Sequence, residues 1–293
     1  MLYSLENDFI KIIASNHGGE LHNITGKKDN TEFLWNGNPD FWKYHSPILF
    51  PIVGKVKNGE YRVDGKTYEL PQHGLARISE FETILSEKNK IAFQLNYSED
   101  TLKVYPYKFS LIISYELIEN SVKISYIVKN LDNKTINFSI GAHPGFMCPL
   151  TSTETINDYY FEFNKKENAD LITLDISAGL ISHNNIPYFK NENVIPLSKE
   201  LFKNDALIFH NLDSNLISIK SKNHNKTLSM DFDGFPYIGL WSMPTGAPFV
   251  CIEPWFGHAD FVDFDGELKD KAGIEALAVD CEFNCSYSVI IEE

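Results

Sequence analysis

Arginine is nearly absent from this sequence. Only two of its 26 basic residues are arginines, Arg62 and Arg77, and 40 acidic residues give a net charge of −14. Because nucleic acids and anionic membrane surfaces repel a chain of this charge, we expect neither as a partner. Few residues remain for bidentate binding of a phosphate or carboxylate, which makes Arg77 the candidate to follow. An uncharged small molecule is the partner that this composition favours.

Long apolar runs and a secretion signal are also missing. The first eight residues, MLYSLEND, have no basic start followed by an apolar core, and no later run has the length that a bilayer requires. We therefore expect a cytoplasmic protein. Cysteines are too few to staple a chain of 293 residues, and a reducing compartment would keep them as thiols at Cys148, Cys251, Cys281 and Cys285.

Several signatures of cofactor and hydrolase chemistry do not occur. The chain contains no Gly-x-Gly-x-x-Gly or Walker-type loop, no His-Glu-x-x-His and no Gly-x-Ser-x-Gly. These patterns would indicate nucleotide binding, zinc peptidase chemistry or esterase chemistry. We therefore expect no nucleotide cofactor and no metal centre.

What the sequence does have is regular alternation of apolar and polar residues. The pattern repeats every second residue in 109–117 and again in 122–129, and Glu119-Asn120 joins these runs as a hairpin. Further strand-like runs occur at 9–14, 61–70 with an Asp64-Gly65 turn, 91–97, 135–140, 207–210, 216–219, 226–232, 249–252 and 281–291. Helical signals are confined to the short segments 101–104 and 198–203.

Many short strands at a spacing of about ten residues predict an all-β fold, a large antiparallel β-sandwich. No linker or fixed-period repeat divides the chain, so we predict a single domain over residues 1–293. Two broad sheets would leave a concave face. Polar residues on that face are the natural place for a ligand site.

Three short stretches interrupt the alternation and gather His, Glu, Gly, Pro and Trp. They read LPQHGLAR at 70–77, IGAHPGF at 140–146 and CIEPWFGH at 251–258. Glycine beside histidine lets a ligand or another backbone approach closely. Pro144 removes a donor from the strand ladder, so strand pairing should stop or bulge at His143. A histidine at such a break can point into a cleft.

Glu253 ends an apolar run, 249–252, and is followed by Pro254-Trp255. Burial of this run would place the carboxylate in a water-poor setting, which raises its pKa and makes it a better base near neutral pH. The pattern fits equally well a strand-end carboxylate that pairs with a backbone amide or a lysine.

The histidines of these stretches also allow two interpretations. Each could be a structural histidine, hydrogen-bonded inside a sheet or, for His258, placed in a loop. However, His143 and His73 lie at glycine- or proline-flanked breaks, and Glu253 supplies a possible proton acceptor. A donor together with an acceptor is what acid–base chemistry needs.

Other residues could bind a sugar. Asp205 stands directly before an apolar strand and could accept hydrogen bonds from sugar hydroxyls, although a turn aspartate fits the same pattern. Trp241 and Trp255 could stack on a pyranose ring, or could belong to the core, which is the commoner fate of a strand tryptophan.

Taken in order, these stretches resemble the aldose 1-epimerase (galactose mutarotase-like) family. The similarity is strongest to a branch that occurs in lactose operons and carries LFPIVGR-K-NG, LPQHGFAR, GAHPGF and IEPW-G; here the first motif reads LFPIVGKVKNG at 49–59. The motifs span most of the chain and are specific as a set. The resemblance implies the galactose mutarotase-like supersandwich, with the site on its concave face.

The resemblance also implies roles for individual residues. His143 matches the general acid that protonates the ring oxygen of a sugar, and Glu253 matches the general base that takes the proton of the anomeric hydroxyl. His73 matches a second histidine near the ring oxygen, and Asp205 matches a hydroxyl-binding aspartate. The implied reaction opens and recloses a hemiacetal and requires no cofactor or metal.

Two positions depart from the family pattern. Galactose mutarotases have an Asn-Arg pair that contacts the sugar, whereas Asn58 is followed here by Gly59. Lys55 stands where the branch often has arginine. Arg77 is the candidate to take over part of this contact, or to bind a phosphate as in the related hexose-6-phosphate epimerases.

Three functions therefore stay open. The chain could be an aldose 1-epimerase of free hexoses, a hexose-6-phosphate 1-epimerase, or a non-catalytic carbohydrate-binding or sensing protein on the same fold. A matched acid and base favours an enzyme, and the lack of an added helical domain disfavours a polysaccharide-processing role. We expect a monomer or a weak homodimer.

Overall fold

The computed structural model describes all 293 residues and consists mainly of antiparallel strands. It has one α-helix, α1 (Glu99–Val104), and 3-10 turns at Lys57–Gly59, Ala76–Ile78, Ile156–Asp158 and Leu268–Asp270. No helix is therefore long enough to cross a bilayer. The strands are β1 (Leu2–Glu6), β2 (Ile10–Ser15), β3 (Leu21–Gly26), β4 (Ile48–Leu49), β5 (Glu60–Val63), β6 (Lys66–Glu69), β7 (Glu82–Ser86), β8 (Lys90–Asn96), β9 (Phe109–Ile118), β10 (Ser121–Asn130), β11 (Ile136–Phe138), β12 (Ile140–Ala142), β13 (Gly145–Met147), β14 (Tyr159–Glu167), β15 (Asp170–Asp175), β16 (Leu180–Pro187), β17 (Glu192–Pro196), β18 (Leu207–His210), β19 (Leu216–Ser221), β20 (Thr227–Asp231), β21 (Tyr237–Trp241), β22 (Phe249–Phe256), β23 (Glu275–Leu277) and β24 (Glu282–Glu292).

Two large sheets form the body of the molecule. One has nine strands in the order β17-β14-β19-β20-β24-β10-β9-β8-β7. The other has eight, in the order β16-β15-β18-β21-β22-β12-β4, with β13 also paired to β22. They enclose a core of 63 buried apolar residues. The partly buried Phe256 of one sheet and Phe283 of the other pack against this core, with ring centroids 5.0 Å apart. The predicted antiparallel β-sandwich is therefore confirmed.

The alternation in the sequence matches burial along the long strands. In β10, Val122, Ile124, Tyr126 and Val128 are buried, and the residues between them are half-buried. Period-two alternation puts these four side chains on the face that meets the core. The predicted hairpin is confirmed as well, since β9 pairs with β10 and Glu119 adopts a left-handed φ of 50° in the turn.

Strand β22 departs from alternation because both of its faces are covered. Val250 and Ile252 point into the main core. Phe249, Cys251 and Trp255 lie on the opposite face and belong to two smaller apolar clusters. An unbroken apolar run is the expected sequence of a strand that is buried on both sides. The second face of this strand is where the candidate site lies.

The two segments with helical signals have different structures. The predicted helix at 101–104 is part of α1, which begins with a capping box at Ser98. By contrast, 198–203 forms hydrogen-bonded turns, with Leu201 N donating to Ser198 O at 3.3 Å. Several strands were not predicted. Among them, β16 and β17 each lie at a sheet edge, are largely exposed and carry no clear alternation, whereas β14 lies inside the nine-stranded sheet and was missed despite its alternating burial.

A buried ion pair fixes the loop that follows β22. Lys271 Nζ lies 3.0 Å from Asp260 Oδ1, and both side chains are at most 3% exposed. Lys271 also donates to the carbonyl of His258 at 2.6 Å. Asp260 Oδ2 accepts from Lys57 N at 2.8 Å, and Asp260 N donates to Lys55 O at 2.9 Å. The pair therefore joins this loop to the segment that carries Lys55.

Replacing Lys271 by methionine should destabilise the protein by about 3–5 kcal/mol, because Asp260 would keep a buried charge without its partner. Urea unfolding would measure this loss. The control is Lys103→Met, which breaks the exposed pair with Asp100 and should change the stability far less, because solvent screens exposed charges. Equal effects of the two substitutions would contradict a structural role for the buried pair.

Candidate active site

A cavity of about 440 Å³ lies on the face of the eight-stranded sheet that points away from the main core. It brings together residues that are far apart in the sequence. Most of the residues proposed for the site line it, namely Lys55, His73, Arg77, His143, Asp205, Trp241, Glu253 and Trp255.

His143 and Glu253 face each other across two neighbouring strands. Strand β12 pairs Gly141 with Trp255, and β13 pairs Gly145 with Cys251, so both strands share one register along β22. This register places His143 directly opposite Glu253, at a gap of two residues between β12 and β13. The predicted break at His143 is thus confirmed. His143 Nε2 lies 3.3 Å from Glu253 Oε2.

Burial controls the charge of this pair. It raises the pKa of Glu253 well above its usual value, and the negative charge of Asp205 adds to the effect. Burial also lowers the pKa of His143 to about 3. Both shifts disfavour charge, so burial favours a protonated, neutral Glu253 beside a neutral His143. Moving that proton from Glu253 to His143 gives a carboxylate base and an imidazolium acid without a proton from solvent.

His73 is held in one tautomer by the backbone. Gly54 N donates to His73 Nδ1 at 3.2 Å, and His73 N donates to Gly54 O at 2.8 Å. An accepting Nδ1 leaves the ring proton on Nε2. Burial, with a contribution from His143, lowers the pKa of His73 well below its usual value. The two imidazoles are perpendicular, with centroids 5.5 Å apart, so His73 can act as a neutral hydrogen-bond donor beside His143.

Tryptophans form the apolar walls of the cavity. The indole of Trp255 lies over Gly141 and Gly239, where an added Cβ would come within 2.6 Å of the ring in each case. Trp42 and Trp241 flank the His143 ring at centroid distances of 4.9 and 5.4 Å. Trp42 was not predicted as a site residue, because it lies in an irregular segment without periodicity. The only signal was the concentration of aromatic residues at 33–44, FLWNGNPDFWKY.

Two cations border the same cavity without a carboxylate partner. The Lys55 side chain extends to Gly179, where an added Cβ would lie 3.0 Å from Lys55 Nζ. Arg77 Nη2 donates to Gln72 O at 2.7 Å, and its guanidinium lies 4.9 Å from the centroid of Tyr44. Arg77 Nε is buried and has no hydrogen-bond partner. Both cations therefore remain available to bind an anionic group.

Asn58 and His258 do not reach this cavity. Asn58 has a left-handed φ of 59° in the 3-10 turn 57–59 and borders other surface clefts. The hydrogen bond from Lys57 N to Asp260 holds that turn in place. His258 is buried, and its Nδ1 contacts the carbonyl of Ala259 at 2.6 Å. Neither Asn58 nor His258 lines the cavity, and the contact of His258 with the backbone is a structural one.

Two groups of side chains have the composition of a metal site. Glu20, His22 and His45 lie together, but the two imidazoles are stacked nearly parallel at 4.1 Å, so their in-plane lone pairs do not converge on one point. His143, Cys251 and Glu253 form the second group, with ligand atoms within 4.8 Å of one another. Of these three residues, His143 and Glu253 line the cavity, and Cys251 is fully buried beside them.

The fold and this cavity place the chain in the galactose mutarotase-like class of β-sandwich proteins. The family model for aldose 1-epimerase matches residues 1–272, and the chain belongs to this family. It is 32% identical over 278 residues to the chromosomal protein LacX of Lactococcus lactis subsp. lactis, a match that covers 92% of this chain and 93% of LacX.

Solved structures show the same relationship. A galactose mutarotase related enzyme from Lactobacillus acidophilus is 36% identical and superimposes with a TM-score of 0.93, covering 100% of this chain and 98% of that one. A galactose mutarotase-like protein from Lactobacillus casei is 27% identical, with a TM-score of 0.94 and full coverage of both chains.

The tautomer of His73 gives a direct check of the site geometry. We expect nitrogen NMR shifts that report a protonated Nε2 and an unprotonated Nδ1, without titration across the neutral pH range, because the pKa of His73 is depressed. A His73 ring that gains a proton in the same range would contradict the described hydrogen bond.

Proposed function

We propose that this protein is an aldose 1-epimerase that interconverts the α and β anomers of a hexose. The observation that carries the proposal is the 3.3 Å contact of His143 Nε2 with Glu253 Oε2 inside the cavity. In a pyranose, the ring oxygen and the anomeric hydroxyl are bonded to one carbon. Because His143 and Glu253 are in contact, they could reach the ring oxygen and the anomeric hydroxyl of one sugar at the same time.

The mechanism follows from the positions of the protons. Glu253, as the carboxylate, takes the proton of the anomeric hydroxyl, and His143, as the imidazolium, gives one to the ring oxygen. The ring bond breaks and a carbonyl forms at C1. Rotation about the C1–C2 bond then presents the other carbonyl face. Reclosure reverses both transfers and returns the pair to its first protonation state.

Other lining residues would hold the sugar in place. His73 offers its Nε2–H near the ring oxygen, and Asp205 offers a carboxylate to hydroxyl groups. Trp255 and Trp241 supply apolar faces on which a pyranose can stack. The family membership and the LacX and mutarotase-related relatives support the same assignment.

A non-catalytic sugar-binding protein would have little use for this pair. Keeping a glutamate 1% exposed beside a histidine 9% exposed costs desolvation free energy, which a binding site with exposed polar groups would avoid. The buried acid and base therefore favour an enzyme over a sensor.

A phosphorylated hexose is the second candidate substrate, and one observation favours it. Lys55 and Arg77 both line the cavity, and neither is paired with a carboxylate. A hexose 6-phosphate carries an anionic group that these two cations would bind through charge-assisted hydrogen bonds.

Replacing either member of the pair should remove catalysis. We expect Glu253→Gln and His143→Asn each to slow anomer equilibration by about 10²–10⁴-fold, because each removes one positioned proton transfer. Polarimetry of freshly dissolved α-glucose and α-galactose measures this rate. The control is His183→Asn, which alters an exposed histidine–aspartate pair and should leave the rate unchanged. Full activity in both cavity variants would contradict the proposed mechanism.

Lys55→Met distinguishes the two substrate classes. Loss of a charge-assisted hydrogen bond of about 1.5–3 kcal/mol should lower kcat/KM for α-glucose 6-phosphate by about 10–100-fold and leave that for α-glucose almost unchanged. A coupled assay of the β anomer measures both. Equal losses for the two sugars, or no action on the phosphate, would reject the phosphorylated substrate.

A further inference from the structure

The thiol of Cys251 is the one reactive group beside the acid–base pair that the proposed reaction does not use. Cys251 precedes Glu253 by two residues in β22, so both side chains lie on the cavity face of the strand. Its cross-strand neighbours are Trp241 on β21 and Gly145 on β13. Gly145 contributes no side chain on the side of the strand that carries His143. Cys251 is a free, fully buried cysteine.

We propose that Cys251, His143 and Glu253 form a binding site for a soft divalent metal ion such as Zn²⁺, and that the bound ion inhibits the protein. One imidazole nitrogen, one thiolate sulfur and one carboxylate oxygen lie within 4.8 Å of one another. Zinc holds such donors at about 2.0–2.3 Å, so ligand atoms at this spacing can converge on one ion after small side-chain movements.

The choice of metal follows from the donors. A thiolate and an imidazole select zinc and other borderline or soft ions, whereas magnesium and calcium prefer sites made of oxygen atoms alone. Three protein ligands leave a fourth tetrahedral position, which a water molecule or another small ligand would fill. On binding, the proton of the Cys251 thiol and any proton held by the His143–Glu253 pair are released to solvent, and the thiolate stays bound to the ion. The ion then coordinates the same imidazole nitrogen and carboxylate oxygen that would exchange protons with the sugar.

This inhibition rests on the proposed epimerase function, but the metal site itself does not. A direct binding experiment therefore separates the two. The protein background should carry Cys281→Ser, because Cys281 is an exposed thiol that could bind metals on its own. Titration calorimetry with Zn²⁺ then compares this background with Cys251→Ala. The matched control is Cys148→Ala, which removes another buried thiol outside the group.

We expect one zinc ion per chain, with an affinity that Cys251→Ala weakens by at least about tenfold and Cys148→Ala leaves unchanged. Zinc should also slow anomer equilibration, and a chelator should restore the rate. Cobalt gives a second readout that needs no substitution at Cys251, since a cobalt–thiolate bond adds a charge-transfer absorption band. Equal zinc affinity in all three proteins, or bound cobalt without that band, would overturn the site. Zinc binding through Cys251 without any epimerase activity would reject only the proposed function.

Discussion

The pairing of β12 and β13 with one strand, β22, is the constraint on which the candidate site depends. Because both short strands keep the same register, the two residues between them stay aligned with β22, and His143 meets Glu253 across the gap. Pro144 cannot donate to the ladder, which makes an interruption natural at this point. The backbone therefore sets the distance between the two groups before any ligand arrives.

Around this pair, glycines shape the cavity as much as the large side chains do. Gly141 and Gly239 leave the space that the indole of Trp255 fills. The covered second face of β22 then keeps water from Glu253, and burial shifts the pKa of Glu253 upward while it shifts that of His143 downward. One set of packing contacts thus produces both the apolar walls and the proton balance of the pair.

The sequence predicts much of this arrangement, for identifiable reasons. Alternation predicts the sandwich because long strands such as β9 and β10 cover a core on one face only. The apolar run before Glu253 predicts its burial and raised pKa, and both are found. What the sequence could not predict is the alignment of His143 with Glu253, since the register between strands so far apart in the chain depends on the whole fold. Trp42 was missed because irregular segments have no period, and Asn58 was expected in the cavity only from the family pattern.

The central claim is that His143 and Glu253 act on two oxygens of one anomeric carbon. The most direct measurement is a crystal structure of the Glu253→Gln variant with a bound hexose. The account predicts the ring oxygen within hydrogen-bond distance of His143 Nε2, about 2.6–3.2 Å, and the anomeric hydroxyl at the same range from the side chain at position 253. A hexose bound with its anomeric carbon near Lys55 and Arg77, while His143 and Glu253 remain in contact with each other, would contradict it.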